Sequence, residues 1–191
     1  MKTETKISTN TFVSIFSSSI RVLFDWERFK HEKWNVSLSV TKNLDDISNW
    51  YLPWNFDKSG KERKYNQSNV HPMKLSSIYE LFPKLTKKRR QQIQSISDIF
   101  IEMRKPIQIV VPTYSLPDKS QIFLDGNHRM SALMLTKVEF TLIIFSVSGP
   151  TDSSILPELK HWEKKSITET DEHLPSYKET YSREDIYFDH D

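Results

Sequence analysis

Between Lys84 and Val147 the spacing of apolar residues changes from helical to strand-like and back. Leu85, Ile93, Ile96, Ile99, Phe100 and Met103 recur at helical spacing, most regularly in the second half of Lys84 to Arg104. Pro106 ends that helix, because proline biases the residue before it toward extended backbone. Pro106-Ile107-Gln108-Ile109-Val110-Val111 is β-branched and predicts a strand. Ser115-Leu116-Pro117-Asp118-Lys119-Ser120 is a turn cluster. Gln121 to Leu124 predicts a second strand, antiparallel to the first if that turn closes a hairpin. An Asp-Gly turn, a helix through about Leu135 and a third strand from Val138 to Val147 complete the pattern.

The N-terminal third is dense in aromatics. Four of the five Trp lie between Trp26 and Trp54, with Phe24, Phe29, Tyr51 and Phe56 nearby. Rings this dense read as core, since each buries a large apolar area. A stacking platform for a base is the alternative. Residues 11 to 24 are apolar but broken by Ser17-Ser18-Ser19 and Arg21, and read as folded strand or helix rather than a signal peptide. Asp152 to Lys165 reads as a short helix with Leu156, Leu159 and Trp162.

Composition narrows the class. A chain of 191 residues suits one domain with extensions. No run of about 18 apolar residues marks a membrane span. The chain has no Cys, which removes any disulfide framework and any thiol chemistry, and suits a cytoplasmic location. The six His are scattered, so no zinc site is visible, and there is no Walker-type loop. The net charge of +2 conceals an asymmetry. Residues 163–191 hold nine acids and four bases, which leaves +7 on the remainder. The acidic tail reads as polar and partly disordered.

The stretch Asp125-Gly126-Asn127-His128-Arg129 carries the most chemistry. Where a strand turns through one glycine into a helix, the free N–H groups of the first turn and the helix dipole favour an anion, most often phosphate. Gly126 permits a positive φ and a close approach. Arg129 supplies a forked permanent cation. His128 can titrate or donate, and Asp125 can accept a proton or ligate Mg²⁺. The bland alternative is an ordinary turn, for which Asp125 and Asn127 are common residues.

The order "PIQIVV…QIFLDGNHRMSAL…VEFTLIIF" resembles the ParB/sulfiredoxin fold over about Val70 to Val147. The resemblance implies an α+β fold, a small mixed sheet with helices, to which composition adds an aromatic-rich N-terminal extension and an acidic C-terminal tail. The expected divisions are 1–69 for the extension, 70–150 for a nucleotide-binding core, and 151–191 for a short helix and tail. Sulfiredoxins place a nucleophilic Cys in this turn, where Asn127 stands here. The chromosome-partitioning branch reads Gly-Glu-Arg-Arg and binds CTP, whereas this chain has Asn127-His128 and no convincing helix-turn-helix. The form Asp-Gly-X-His-Arg is similar to a third branch. That branch includes a free-serine kinase and plasmid-encoded proteins with ATPase and nuclease activity. The short length resembles the plasmid fertility-inhibition and oncogenic-suppression type.

The resemblance implies ATP or another nucleotide as cofactor, and Mg²⁺ would accompany a bound nucleotide because phosphates supply most of its ligands. It assigns Gly126, Asn127, His128 and Arg129 to phosphate, and Asp125 and His128 to catalysis. It adds Thr86, Lys87 and Lys88, at the start of the long helix, as further phosphate contacts. Two basic clusters offer sites for DNA by charge alone: Lys58, Lys61, Arg63 and Lys64 in a polar loop, and Lys84, Lys87, Lys88, Arg89 and Arg90 where the long helix opens. A solvated surface explains the same charges. Two function classes stay open. One is an enzyme that uses a nucleoside triphosphate, as an ATPase or nuclease or as a small-molecule kinase. The other is a non-catalytic module that binds a nucleotide or a protein.

Overall fold

The computed structural model describes residues 4–20, 22, 24–64, 70–116, 118–149, 155 and 156. The short helix expected over 152–165 and the acidic tail lie outside the described residues, apart from Ile155 and Leu156. The described chain is α+β, with eight strands in one mixed sheet and five α-helices. The strands are β1 (Thr5–Ile7), β2 (Asn35–Thr41), β3 (Tyr51–Asp57), β4 (Glu62–Arg63), β5 (Val70–Lys74), β6 (Ile107–Ser115), β7 (Gln121–Phe123) and β8 (Phe140–Ser148). The helices are α1 (Thr9–Phe16), α2 (Trp26–His31), α3 (Ile78–Leu81), α4 (Lys87–Glu102) and α5 (Asn127–Thr136).

The sheet order is β1-β2-β8-β6-β7-β3-β4, and β5 also pairs with β3. β6 and β7 form the expected antiparallel hairpin, with Thr113 opposite Phe123. After α5 the chain returns as β8, parallel to β6 on its other side, with Ile109 opposite Leu142. The sequence pattern ends the first strand at Val111, yet β6 runs on through Pro112 to Ser115. Proline is tolerated there because β7 stops beside it. Pro112 accepts from Leu124 N at 2.9 Å and has no N–H to return, so the ladder ends and the chain turns at Asp125-Gly126.

The N-terminal third contributes strands to this same sheet. β2 pairs along seven residues with β8, and β3 joins β7 in parallel at Tyr51 and Ile122. Residues 5–57 thus flank the β6–β8 unit on both sides. Each face of the sheet carries its own core. On one face Ile109, Val111, Leu142 and Ile144 pack with Ile93, Phe100, Met130 and Leu133 of α4 and α5. On the other, Phe145 and Val147 pack with Phe12, Phe16, Phe29 and Trp34, closed by Ile155 and Leu156. Trp34 and Trp54 are buried side chains of these cores. Among the described residues no helix is long and apolar enough to cross a membrane.

Candidate functional site

The α5 turn has the expected backbone. Gly126 is the N-cap of α5, with φ of +84°, and its side-chain-free position leaves the first turn with no side-chain cap. A Cβ there would stand 3.0 Å from Val111 Cγ1 and 3.3 Å from Arg129 Nη2. The strand below and the guanidinium above therefore both press on this glycine. Arg129 curls back over the start of its own helix and meets Asp125 at 3.4 Å, with side chains 42% and 24% exposed respectively. That distance is long for a charge-assisted bond, and both groups keep access to solvent. No acid lies in the first turn of α5, so Asp125 is the carboxylate nearest in sequence that offsets Arg129 and the helix dipole.

Behind the turn the groups are buried. Asn127 is 8% exposed, and its Oδ1 has no hydrogen-bond partner among the described residues. Asn55 Oδ1 on β3 is in the same condition, with the residue 3% exposed. The His128 ring packs on Trp54 at 5.1 Å between centroids, and its Nε2 is buried. His128 was expected to serve acid/base chemistry at the turn; the structure sets its ring against the core tryptophan.

Trp54 also links this turn to the start of α4. The Arg89 guanidinium carbon lies 4.6 Å from the Trp54 ring centroid. Arg89 Nε donates to Glu62 Oε1 at 2.6 Å, and Thr86 N donates to Glu62 Oε2 at 3.3 Å. The two side chains of that ion pair are 12% and 14% exposed. An internal carboxylate thus stands at the N-terminus of α4, where the resemblance implied phosphate contacts for Thr86, Lys87 and Lys88. The Thr86 hydroxyl caps α4, accepting from Arg89 N at 3.4 Å, while Lys87 and Lys88 are exposed.

Two members of the helical basic cluster have partners within the fold. Arg89 is held by Glu62 and Trp54. Arg90 donates to the carbonyls of Pro83 and Leu85, at 2.8 and 2.7 Å, and fastens the segment before α4. In the loop cluster Arg63 pairs with Asp57 at 2.7 Å, while Lys58, Lys61 and Lys64 are exposed. Asp57 organises that loop. It accepts from Ser59, Arg63 and the Lys61 amide, and these bonds hold its carboxyl well below the usual aspartate range.

Glu62, Trp54 and Asn55 were not singled out as site residues from the sequence. Glu62 sits in a charged run like any solvated acid, and Trp54 is one aromatic among many. Only the packing of β3 and β4 beside both helix starts distinguishes them. Among the described residues no three His, Asp or Glu side chains gather to hold a metal ion. In comparisons with known proteins the chain matches no family model, no curated protein and no solved structure.

Proposed function

We propose that the α5 turn binds the phosphate end of a nucleotide, ATP in the first instance, and that the chain uses it in phosphoryl chemistry. One observation carries the reading: the start of α5 is uncapped, headed by a left-handed glycine, and overhung by the Arg129 guanidinium. A phosphate there would accept from the first-turn amides and from Arg129, and would offset two positive groups that Asp125 now faces. The resemblance to the ParB/sulfiredoxin fold supports the same ligand at the same residues.

The residues fit Mg²⁺ as a companion of phosphate. Asp125 provides one carboxylate, and Mg²⁺ takes much of its coordination from phosphate oxygens and water. When bound, the ion would neutralise phosphate charge. Arg129 and the helix amides would orient the phosphoryl group and stabilise its developing charge. Asp125 would accept the proton of the attacking hydroxyl or water.

The test is calorimetry with ATP, followed by phosphate release with and without DNA and phosphate transfer to small hydroxyl compounds. Arg129→Ala should weaken ATP binding by about 1.5–3 kcal/mol, the scale of a charged hydrogen bond. Unchanged affinity would refute the site. Asp125→Asn should abolish turnover and largely spare binding, since the amide keeps the shape and loses the charge. Binding by the wild type with no turnover under any condition would reduce the proposal to a non-catalytic nucleotide module.

A further inference from the structure

Two basic segments that are separate in the sequence meet in space. The β3–β4 hairpin lies across the start of α4, tied by Glu62 to Thr86 and Arg89. Gly60 at the hairpin tip is so close to Lys84 that a Cβ would fall 2.5 Å from Lys84 Nζ. The segment that carries Lys58, Lys61 and Lys64 is thereby joined to the one that carries Lys84, Lys87 and Lys88. Residues 57–64 and 80–90 together hold nine cations and three carboxylates, a net of +6. Each carboxylate already has a cation: Asp57 meets Arg63 at 2.7 Å, Glu62 meets Arg89 at 2.6 Å and Glu80 meets Lys84 at 3.9 Å. Lys58, Lys61, Lys87 and Lys88 are all exposed on this joined surface.

Arg89 and Arg90 have partners within the fold, whereas the exposed Lys87 opens a helix whose own first turn does not call for a cation. Lys87, Lys88, Arg89 and Arg90 open α4, and its first turn contains no acid. A helix N-terminus carries the positive end of the dipole, so cations there are unfavourable. Sequences break such local rules at functional sites.

We propose that this joined face docks on the phosphate backbone of duplex DNA, without reading bases. A membrane surface would demand apolar side chains beside the cations. Of the exposed large apolar residues, Tyr79 borders the second segment but is engaged by the Met134 carbonyl and by Lys137 over its ring, while Ile15, Val40, Ile99 and Ile101 lie outside both segments. Single strands are held by stacking on exposed rings. Residues 57–64 and 80–90 contain one aromatic side chain, the half-buried Phe82 packed on the core, and the Trp54 ring beneath Arg89 is 1% exposed. What remains is a dense set of lysines suited to an array of phosphates. The face uses none of Asp125 to Arg129, so its failure leaves the nucleotide reading standing.

The experiment is fluorescence anisotropy of the full chain on a DNA duplex of about 20 base pairs at about 50 mM salt, with the single strand and an RNA duplex as further arms. Lys58→Glu/Lys61→Glu and Lys87→Glu/Lys88→Glu should each weaken duplex DNA binding by about tenfold or more. Each should also lower the slope of log affinity against log salt by about 2. Lys105→Glu, beyond the far end of α4 and roughly 24 Å away, should change little. Lys87→Glu/Lys88→Glu should at the same time raise the melting temperature by about 2–6 °C, because it favours the dipole. That rise separates lost contacts from lost folding. No duplex binding at low salt, an effect from only one of the two pairs, or tighter binding of the single strand or of duplex RNA would overturn the proposal.

Discussion

Gly126→Ala is the sharpest probe of the α5 turn. Its φ of +84° is one that an L side chain rarely adopts, and the left-handed region costs about 1–2 kcal/mol for a residue with a Cβ. The new methyl would also stand 3.0 Å from Val111 Cγ1, a few tenths of an ångström too near. Val111 is fully buried in the helix-side core and has little room to retreat, which adds about 1 kcal/mol, the low end for overpacking. The expected loss is about 2–3 kcal/mol. For a chain of this size that lowers the melting temperature by about 4–12 °C. Thermal and urea denaturation read it directly. A double-mutant cycle with Val111→Ala separates the two causes: the cost of Gly126→Ala should fall by about 1 kcal/mol in that background, leaving the backbone part. A loss below about 0.5 kcal/mol would refute the left-handed turn. Absence of coupling would refute Val111 as the wall beneath it.

Glu62→Gln should destabilise the fold by about 2–3 kcal/mol, somewhat below the cost of breaking a fully buried ion pair, since Arg89 stays largely buried without its counter-charge. An unchanged melting temperature would show that the hairpin does not depend on this carboxylate. The Asp57 turn should resist acid. Its carboxyl is held below the ordinary value of about 3.9 by Ser59, Arg63 and the Lys61 amide. Its stabilising contribution is therefore complete above that value and is lost only as pH falls through the depressed folded value. The Ser59 and Lys61 amide signals in NMR should stay constant from about pH 7 to pH 4; a midpoint near pH 4 would contradict the hydrogen-bond pattern.

The stretch from Lys87 to Ser148 was legible because its signals are local. Pro106 fixed the end of the helix, β-branched runs marked β6 and β8, and Asp125-Gly126 marked the turn. The left-handed φ at Gly126 follows from the same logic, as one glycine stood where a strand had to become a helix. Residues 5–57 were less legible. Their aromatics signalled burial and gave no partner, so the reading of an extension missed that β2 pairs with β8 and β3 with β7. The extent of β6 was missed for a related reason: Pro112 looks like a terminator until β7 is seen to stop beside it.

The site divides along the same line. Sequence alone determined that Gly126, Asn127 and Arg129 share one turn at a helix start, because residues so close along the chain cannot separate. It also determined the total charge of the two basic clusters. Tertiary structure alone decided that those clusters form one face, that Glu62 holds Arg89, and that Arg90 serves backbone carbonyls. It alone brought Trp54 between Arg89 and His128. The fate of a long charged side chain depends on which carboxylate or ring the fold delivers within reach, and these partners lie many residues away.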